Sequence, residues 1–152
     1  MAKIRIRNLD WVVVLDGRKA LFLQNEGDEL HLNLVVREVR DQPDPRNREL
    51  FTDRPGKVYQ SATTSHSAVE LTDRHDAAEH AFIEASLSRL GELMVQAKHS
   101  RHIIVAPPRA LGMIRKLYTS ALKAASKAEL AHDWVHMPVH EIESRLAEIS
   151  KG

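Results

Sequence analysis

The amino-acid sequence contains no cysteine among its 152 residues, which excludes disulfide bonds and thiolate metal sites. It also lacks a long apolar run, and charges break every apolar stretch of the N-terminal MAKIRIRNLD. Neither a signal peptide nor a membrane-spanning helix is predicted, because both require an uninterrupted apolar segment. Since the lack of cysteine also suits a reducing compartment, we expect a cytoplasmic protein.

Acidic residues are missing from residues 93–128, a stretch of 36 residues that carries seven lysines and arginines. The net charge of the whole chain is only +1, so the remainder carries about −6, from +1 minus +7. Overall charge therefore implies no partner, whereas its distribution indicates a cationic region. The seven cations are Lys98, Arg101, Arg109, Arg115, Lys116, Lys123 and Lys127.

The rest of the composition is that of an ordinary globular protein, with 43% hydrophobic and 28% charged residues. A chain of this length buries about 70% of its unfolded surface, which is enough for one hydrophobic core. We therefore predict a single domain that spans residues 1–152.

The first third of the chain predicts a meander of three antiparallel strands. Residues 11–16 form a short β-branched run, and residues 20–24 a second apolar run. Asp16 and Gly17 between them favour a tight turn, because both tolerate positive φ. From Leu30 onwards, Leu32, Leu34 and Val36 alternate with polar residues, as in a strand with one wet face.

Residues 41–72 are polar and rich in proline, which predicts a long irregular loop. After it, Asp73 is a candidate N-cap for a helix reaching about residue 98, and residues 102–106 (HIIVA) read as a buried strand. Pro108 suits the first turn of another helix, continued through Tyr118 and Ala125. A weak strand at 128–131 and a helix at 139–149 complete the order β-β-β-α-β-α-β-α. The core-facing stripe of the first helix comprises Ile83, Leu87, Leu90, Met94 and Ala97.

This order of elements predicts an α/β protein with a five-stranded mixed sheet and packed helices, the layout of ribonuclease H-like folds. Four segments in register also resemble the bacterial host-attachment protein family, over about residues 11 to 146. The segments are 11–24 (WVVVLDGRKALFLQ), 50–58 (LFTDRPGKV), 104–113 (IVAPPRALGM) and 132–143 (HDWVHMPVHEIE). The resemblance implies a role in attachment to host cells.

That family is in turn similar to the central domain of archaeal and eukaryotic class I release factors, which implies a ribonuclease H-like fold. Those factors carry a Gly-Gly-Gln tripeptide just before their long helix. The corresponding stretch here is residues 63–68 (TTSHSA), which has no glycine and has His66 in place of the glutamine. A Ser-His pair does not reproduce the backbone freedom of that tripeptide, so the resemblance does not extend to release activity.

Cations at a spacing of seven suggest a phosphate-binding row on the helix after Pro108. Arg109, Lys116 and Lys123 would drift only about 20° per step and line one face, which Arg101 and Arg115 would widen. Such a row could bind the backbone of structured RNA, or it could be an ordinary solvated helix surface. Both interpretations remain open from the sequence.

The proline-rich loop offers a second candidate surface, formed by Arg54, Lys57, Tyr59 and His66. Arginine matches phosphate geometry, and Tyr59 could stack on a base. The alternative is that residues 53–56 (DRPG) simply form a turn and that interleaved acidic residues pair with the arginines. The turn interpretation is favoured.

Metal and catalytic sites are weakly indicated. His75 and His80 are five residues apart and diverge around a helix, unlike a zinc motif, although Asp76 shares a face with His80. A two-metal hydrolase would need several carboxylates, and Asp16 with Glu79 or Glu84 leaves the set incomplete. No catalytic residue, metal site or cofactor is therefore predicted.

Three hypotheses of function follow. The first is a non-catalytic module that binds structured RNA or the ribosome through the basic row and the loop. The second is a protein-interaction or adhesion role with the host-attachment machinery. The third is a metal-dependent hydrolase or nuclease. The sequence predicts no membrane span and does not indicate an oligomeric state.

Overall fold

The computed structural model describes residues 4–42, 64–96 and 100–151 and arranges them as five strands and four helices. In chain order these elements are β1 (Trp11–Leu15), β2 (Lys19–Asn25), β3 (Leu34–Asp41), α1 (Thr64–Gln96), β4 (His102–Ala106), α2 (Pro108–Leu117), α3 (Ser120–Ala124), β5 (Ser126–Ala131) and α4 (Val139–Lys151). The described part of the chain is therefore an α/β fold.

The five strands form one mixed sheet in the order β3-β2-β1-β4-β5. β1 pairs antiparallel with β2, where Leu15 faces Ala20, and parallel with β4, where Val13 faces Ile104. β3 continues the antiparallel half and β5 the parallel half. Every residue of β1 and β4 is buried, whereas β3 and β5 are outer strands and more exposed. The β-branched run of β1 fits this central position.

Two hydrophobic cores cover the two faces of the sheet, because alternate side chains of a strand point to opposite faces. On one face, α1, α2 and α3 pack on the side chains of Val13, Phe22 and Ile104. On the other face, α4 and the N-terminal segment pack on Val12 and Ile103. The central strands are apolar on both sides for this reason.

The mixed five-stranded sheet that the sequence predicts is confirmed, and residues 102–106 form β4 with the predicted bounds. Pro108 begins α2, as its missing N–H favours. The predicted stripe of α1 also faces the core: Ile83, Leu87 and Leu90 are buried. Ala97 lies outside the described residues.

Other boundaries are wrong. The third strand begins at Leu34 rather than near Leu30, and its outer position leaves most of it exposed. α1 begins at Thr64, so Asp73 is not its N-cap, and residues 64–72 of the predicted loop are helical. Residues 43–63 of that loop lie outside the described part of the chain.

The turn between β1 and β2 forms for a different reason from the predicted one. Among the described residues no glycine has positive φ, so Gly17 is not needed for its backbone angles. Instead, the Asp16 carboxylate accepts backbone hydrogen bonds from Arg18 and Lys19, both at 2.8 Å. A Cβ at Gly17 would lie 2.5 Å from Oε2 of Glu79, so glycine permits the close approach of α1 to this turn.

The single helix predicted after Pro108 is wrong, because α2 ends at Leu117 and α3 begins at Ser120. Tyr118 and Thr119 between them are extended. The side chain of Thr119 caps α3 by accepting a 3.2 Å hydrogen bond from the backbone of Leu122. The break places Lys123 on a different helix from Arg109, so the predicted row of cations does not follow one helix face.

Candidate functional surfaces

Carboxylates from distant parts of the chain neutralise several cations of the acid-free segment. Arg109 pairs with Asp76 and Glu79 of α1, at 3.0 Å from the latter. The ion pair of Arg115 is with Glu129 of β5, at 2.9 Å. The cationic region that the sequence indicates is therefore partly compensated after folding.

One cluster of charges lies where the parallel strands β1 and β4 end. We call it the carboxyl edge, and it comprises Asp16, Asp76, Glu79, Arg109 and His136. Asp16 follows β1, and Nε2 of His136 lies 4.0 Å from its Oδ2. Asp16, Glu79 and Arg109 line a small cavity of about 120 Å³. Crevices at the carboxyl ends of parallel strands are common ligand sites in α/β proteins, so this edge is a candidate ligand site.

The carboxylates of this cavity already have partners. Oδ1 of Asp16 holds the β1–β2 turn, and Oε1 of Glu79 accepts a hydrogen bond from Arg109. Within the part of the chain that the structure describes, no group of three potential ligands could hold a metal ion. The hydrolase hypothesis requires Asp16 and either Glu79 or Glu84 to bind metal ions together. These residues do not form such a metal site.

A buried histidine lies at the opposite end of β4. His102 is fully buried, and its Nε2 lies 2.7 Å from the hydroxyl of Tyr118 in the break between α2 and α3. Burial lowers the pKa of His102 to about 4 and raises the pKa of Tyr118. The imidazole is therefore neutral at physiological pH, and its contact with Tyr118 fixes the helix break against the sheet.

A groove lies between the second half of α1 and the segment from Leu117 to Ala125. We call it the helix groove; its volume is about 600 Å³. Hydrocarbon or thioether side chains make up seven of its eleven lining residues, so its surface is mainly apolar. Val95 at its end is 74% exposed. The lining residues are Glu84, Leu87, Ser88, Gly91, Met94, Val95, Leu117, Thr119, Ala121, Leu122 and Ala125.

Three exposed cations lie near the amino-terminal ends of β4 and β5. We call Arg101, Lys116 and Lys123 the amino-edge cations. Arg101 directly precedes β4, and Lys116 lies two residues before Tyr118, whose hydroxyl meets His102. α3, which contains Lys123, leads into β5. Among the carboxylates of residues 4–42, 76–96 and 100–150, none forms an ion pair with any of the three.

The structure thus divides the predicted basic row. Arg109 and Arg115 are paired, while Arg101, Lys116 and Lys123 are not paired within the described residues. The predicted loop residues Arg54, Lys57 and Tyr59 lie outside the described part. His66 belongs to α1, and its side chain is also outside that part.

Sequence reasoning missed the helix groove and the contact between His102 and Tyr118. One feature of the sequence could have indicated the groove: Gly91 interrupts an otherwise good helix sequence, and a glycine there leaves a gap in the helix surface. No feature of the sequence indicates the contact between His102 and Tyr118, since the two residues are 16 positions apart and belong to different predicted elements.

In the described part of the chain, none of the helices has the length and apolar character needed to cross a lipid bilayer.

The sheet, its helical layers and these surfaces define an α/β protein without a recognisable catalytic constellation among the described residues. Residues 11–146 match the model of a protein family described as proteins required for attachment to host cells. The match covers most of the 152 residues, so the chain belongs to this host-attachment family. No curated protein matches the chain.

Proposed function

We propose that this protein acts in attachment to host cells as a non-catalytic interaction module, and that its helix groove binds an amphipathic, acidic segment of a partner protein. The apolar lining of the groove carries this proposal. Its volume of about 600 Å³ is within the range of ligand pockets, and apolar grooves between helices accept the apolar face of a partner helix.

The charge beside the groove favours an acidic partner. Lys116 precedes the lining residue Leu117, and Lys123 follows the lining residue Leu122. Both lysines are exposed. Complementary charges at the rim of an interface accelerate association and fix orientation, while the apolar centre supplies most of the affinity.

Filling the groove tests the proposal. A Cβ at Gly91 would meet no atom within 4 Å, so a side chain at this position begins in open space, and we expect Gly91→Phe to place its ring in the groove. The same holds for Gly112 of α2, which does not line the groove, so Gly112→Phe is a matched control. In a strain lacking the gene, we expect Gly112→Phe to restore attachment to host cells and Gly91→Phe to fail.

Both variants should unfold at the wild-type temperature or above, because replacing a mid-helix glycine favours the helix by up to about 1 kcal/mol. Restoration of attachment by both variants, with equal protein levels, would contradict the groove as the functional surface.

RNA or ribosome binding is a second candidate function, and the amino-edge cations favour it because they are exposed and unpaired within the described residues. Three phosphate contacts would give a log–log salt slope of roughly −2 to −3. We expect the triple change of Arg101, Lys116 and Lys123 to Glu to abolish binding to ribosomes and structured RNA, and Arg109→Ala to leave it unchanged. Wild-type RNA affinity in the triple variant would eliminate this candidate.

We also propose that the fold is ribonuclease H-like and related to the central domain of class I release factors. Its support is the strand order β3-β2-β1-β4-β5, with three antiparallel strands followed by two parallel ones. The long helix α1 is a second similarity to release factors, which also have a long helix. It begins 14 residues before Ala78, the residue that Gln42 contacts. These first 14 residues span about 20 Å. Superposition of an experimental structure on known folds tests this kinship.

A further inference from the structure

We propose that two copies of this chain pair through β3 and form a two-fold symmetric dimer with a continuous ten-stranded sheet. β3 is an outer strand of eight residues, and no other described strand pairs with its outer edge. Unpaired strand edges are templates for pairing with another chain. The charges and exposed backbone groups of β3 fit a second copy of the same strand, in one register of pairing.

At Val39 the backbone N–H and carbonyl of β3 point away from β2. The N–H of Gln42 donates a 2.7 Å hydrogen bond to the carbonyl of Arg18 and therefore points towards β2. Because successive residues of a strand point their backbone groups to opposite sides, the N–H and carbonyl of Val39 point to the open edge. Two copies related by a dyad at Val39 would exchange two hydrogen bonds there.

The order of charges around Val39 is self-complementary. Residues 37–41 read Arg-Glu-Val-Arg-Asp. In antiparallel pairing about a dyad at Val39, Glu38 of one copy faces Arg40 of the other. Opposite charges therefore meet on both sides of the dyad, an arrangement that stabilises cross-strand pairs. Arg37 lies at a β-bulge and contacts Gln24 and Glu26 of its own chain, so it takes no part in this match.

Neighbouring registers lack this match. A dyad at Glu38 would place two glutamates directly opposite each other, and a dyad at Arg40 would oppose two arginines, both destabilising. Charged residues commonly protect an outer strand from pairing. In this strand their order disfavours these neighbouring registers and favours the dyad at Val39.

β3 also exposes two valines. Val39 is 50% exposed and Val36 is 41% exposed. A β-bulge between Phe22 and Leu23 of the neighbouring strand shifts the register of β3, so Val36 and Val39 lie on the same sheet face despite their odd spacing. Pairing at the dyad would place Val39 against its equivalent and remove apolar surface from water.

The charged side chains of β3 divide into engaged and available groups. Glu38 is held by two hydrogen bonds from Arg89 of α1, at 2.9 and 3.0 Å, which fixes its position. Arg40 and Asp41 form no ion pair within the described residues, and Nε of Arg40 is buried there without a hydrogen-bond partner. Arg37 is engaged as well, with Glu26 and Gln24. In the dimer Arg40 would gain the carboxylate of Glu38 from the other copy.

Charge reversal tests the interface through sedimentation velocity over a concentration series. We expect the wild-type chain of 17.2 kDa to show a concentration-dependent mass approaching twice that value. Glu38→Arg opposes two arginines and Arg40→Glu opposes two glutamates, so each variant alone should dimerise at least tenfold more weakly. An equimolar mixture should regain the dimer, because the two variants are complementary to each other.

Asp133→Arg, the same charge change after β5, is the matched control and should leave the dimer intact. Val39→Pro tests the backbone independently, because it removes the outward N–H without removing a bond to β2. It should give a monomer even if Glu38→Arg fails to fold. A wild-type monomer at several hundred micromolar would overturn the proposal, as would a dimer that tolerates both Glu38→Arg and Val39→Pro.

Discussion

At the carboxyl edge, Arg109 lies against the carboxylates of Asp76 and Glu79, whereas at the other end of the sheet Lys116 and Lys123 have no such partner within the described residues. Both ends draw their cations from the same acid-free stretch of sequence. The difference arises because the carboxyl edge faces α1, which brings its acids there. A stretch of sequence without aspartate or glutamate therefore indicates where cations are concentrated, but it does not indicate which of them lack a carboxylate partner in the folded protein.

The two ends also differ in how deeply their ionisable groups are buried. The Arg109 side chain is 64% exposed, whereas Lys127, at the start of β5, is 14% exposed and pairs at 2.7 Å with Asp10, which is 5% exposed. Exposed ion pairs contribute little to stability, and breaking a buried pair is costly. The amino end should therefore dominate the electrostatic contribution to folding, which three predictions test.

The largest effect is expected for Asp10→Ala. Its carboxylate holds the ammonium of Lys127 and also accepts backbone hydrogen bonds from Arg7 and Arg101, at 2.9 and 3.0 Å. Removing it leaves a buried cation without its carboxylate, which costs about 3–5 kcal/mol of unfolding free energy. Urea unfolding measures this loss.

The double variant Asp10→Asn with Lys127→Met separates charge from hydrogen bonding, because it removes both charges while the single amide oxygen can still accept one of the two backbone bonds, from Arg7 or from Arg101. It should recover part of the stability lost in Asp10→Ala. If Asp10→Ala lowered the unfolding free energy by less than 1 kcal/mol, the amino end would not contribute more to stability than the carboxyl edge.

An intermediate effect is expected from pH, through His102. Burial lowers its pKa to about 4 in the folded protein, from about 6.5 in the unfolded chain, so the unfolded chain binds a proton first as the pH falls. The stability contribution of the neutral imidazole is fully present above pH 6.5 and is lost towards pH 4, by up to about 3 kcal/mol.

Urea unfolding at pH 7, 6, 5 and 4 measures this dependence. His102→Gln keeps a hydrogen-bonding group for Tyr118 but does not titrate, so its stability should fall less over the same range. Parallel pH profiles for the two proteins would show that His102 does not contribute.

The smallest effect is expected for Arg109→Ala. Although it has two carboxylate partners, its exposure limits the loss to about 0.2–1 kcal/mol at low salt, decreasing as salt is added. Arg115→Ala is the matched control, since Arg115 is 62% exposed and pairs with Glu129. Thermal unfolding at two salt concentrations measures both. A loss above 2 kcal/mol for Arg109→Ala alone would mean that the carboxyl edge holds α1 in place.

Much of the fold follows from local pattern. The four apolar residues of β4 follow the polar Arg101 and His102 and precede Pro107, and the bounds of the strand are predicted without error. The break after Leu117 could not be predicted, because apolar residues continue at helical spacing through Ala121 and Ala125. Tyr118 is not helical, and its hydroxyl contacts His102, which is distant in sequence.

The candidate surfaces were less predictable than the fold. Arg109 looks uncompensated in sequence because its partners Asp76 and Glu79 lie 33 and 30 residues upstream. Gly17 looks like a turn glycine, whereas its lack of a side chain accommodates Glu79. In both cases the decisive neighbour comes from α1, whose position over the sheet no local pattern specifies.

The sequence by itself determined the order of strands and helices apart from the break after Leu117, the apolar faces that build two cores, and the concentration of cations between Leu93 and Ala128. These depend on periodicity and composition, which are properties of neighbouring residues. Only the tertiary structure decided which cations meet carboxylates, where the helix groove opens and which edge of β3 stays unpaired among the described strands. Those outcomes depend on contacts between segments far apart in the chain, and Coulomb and packing forces act on distance in space rather than on separation in sequence.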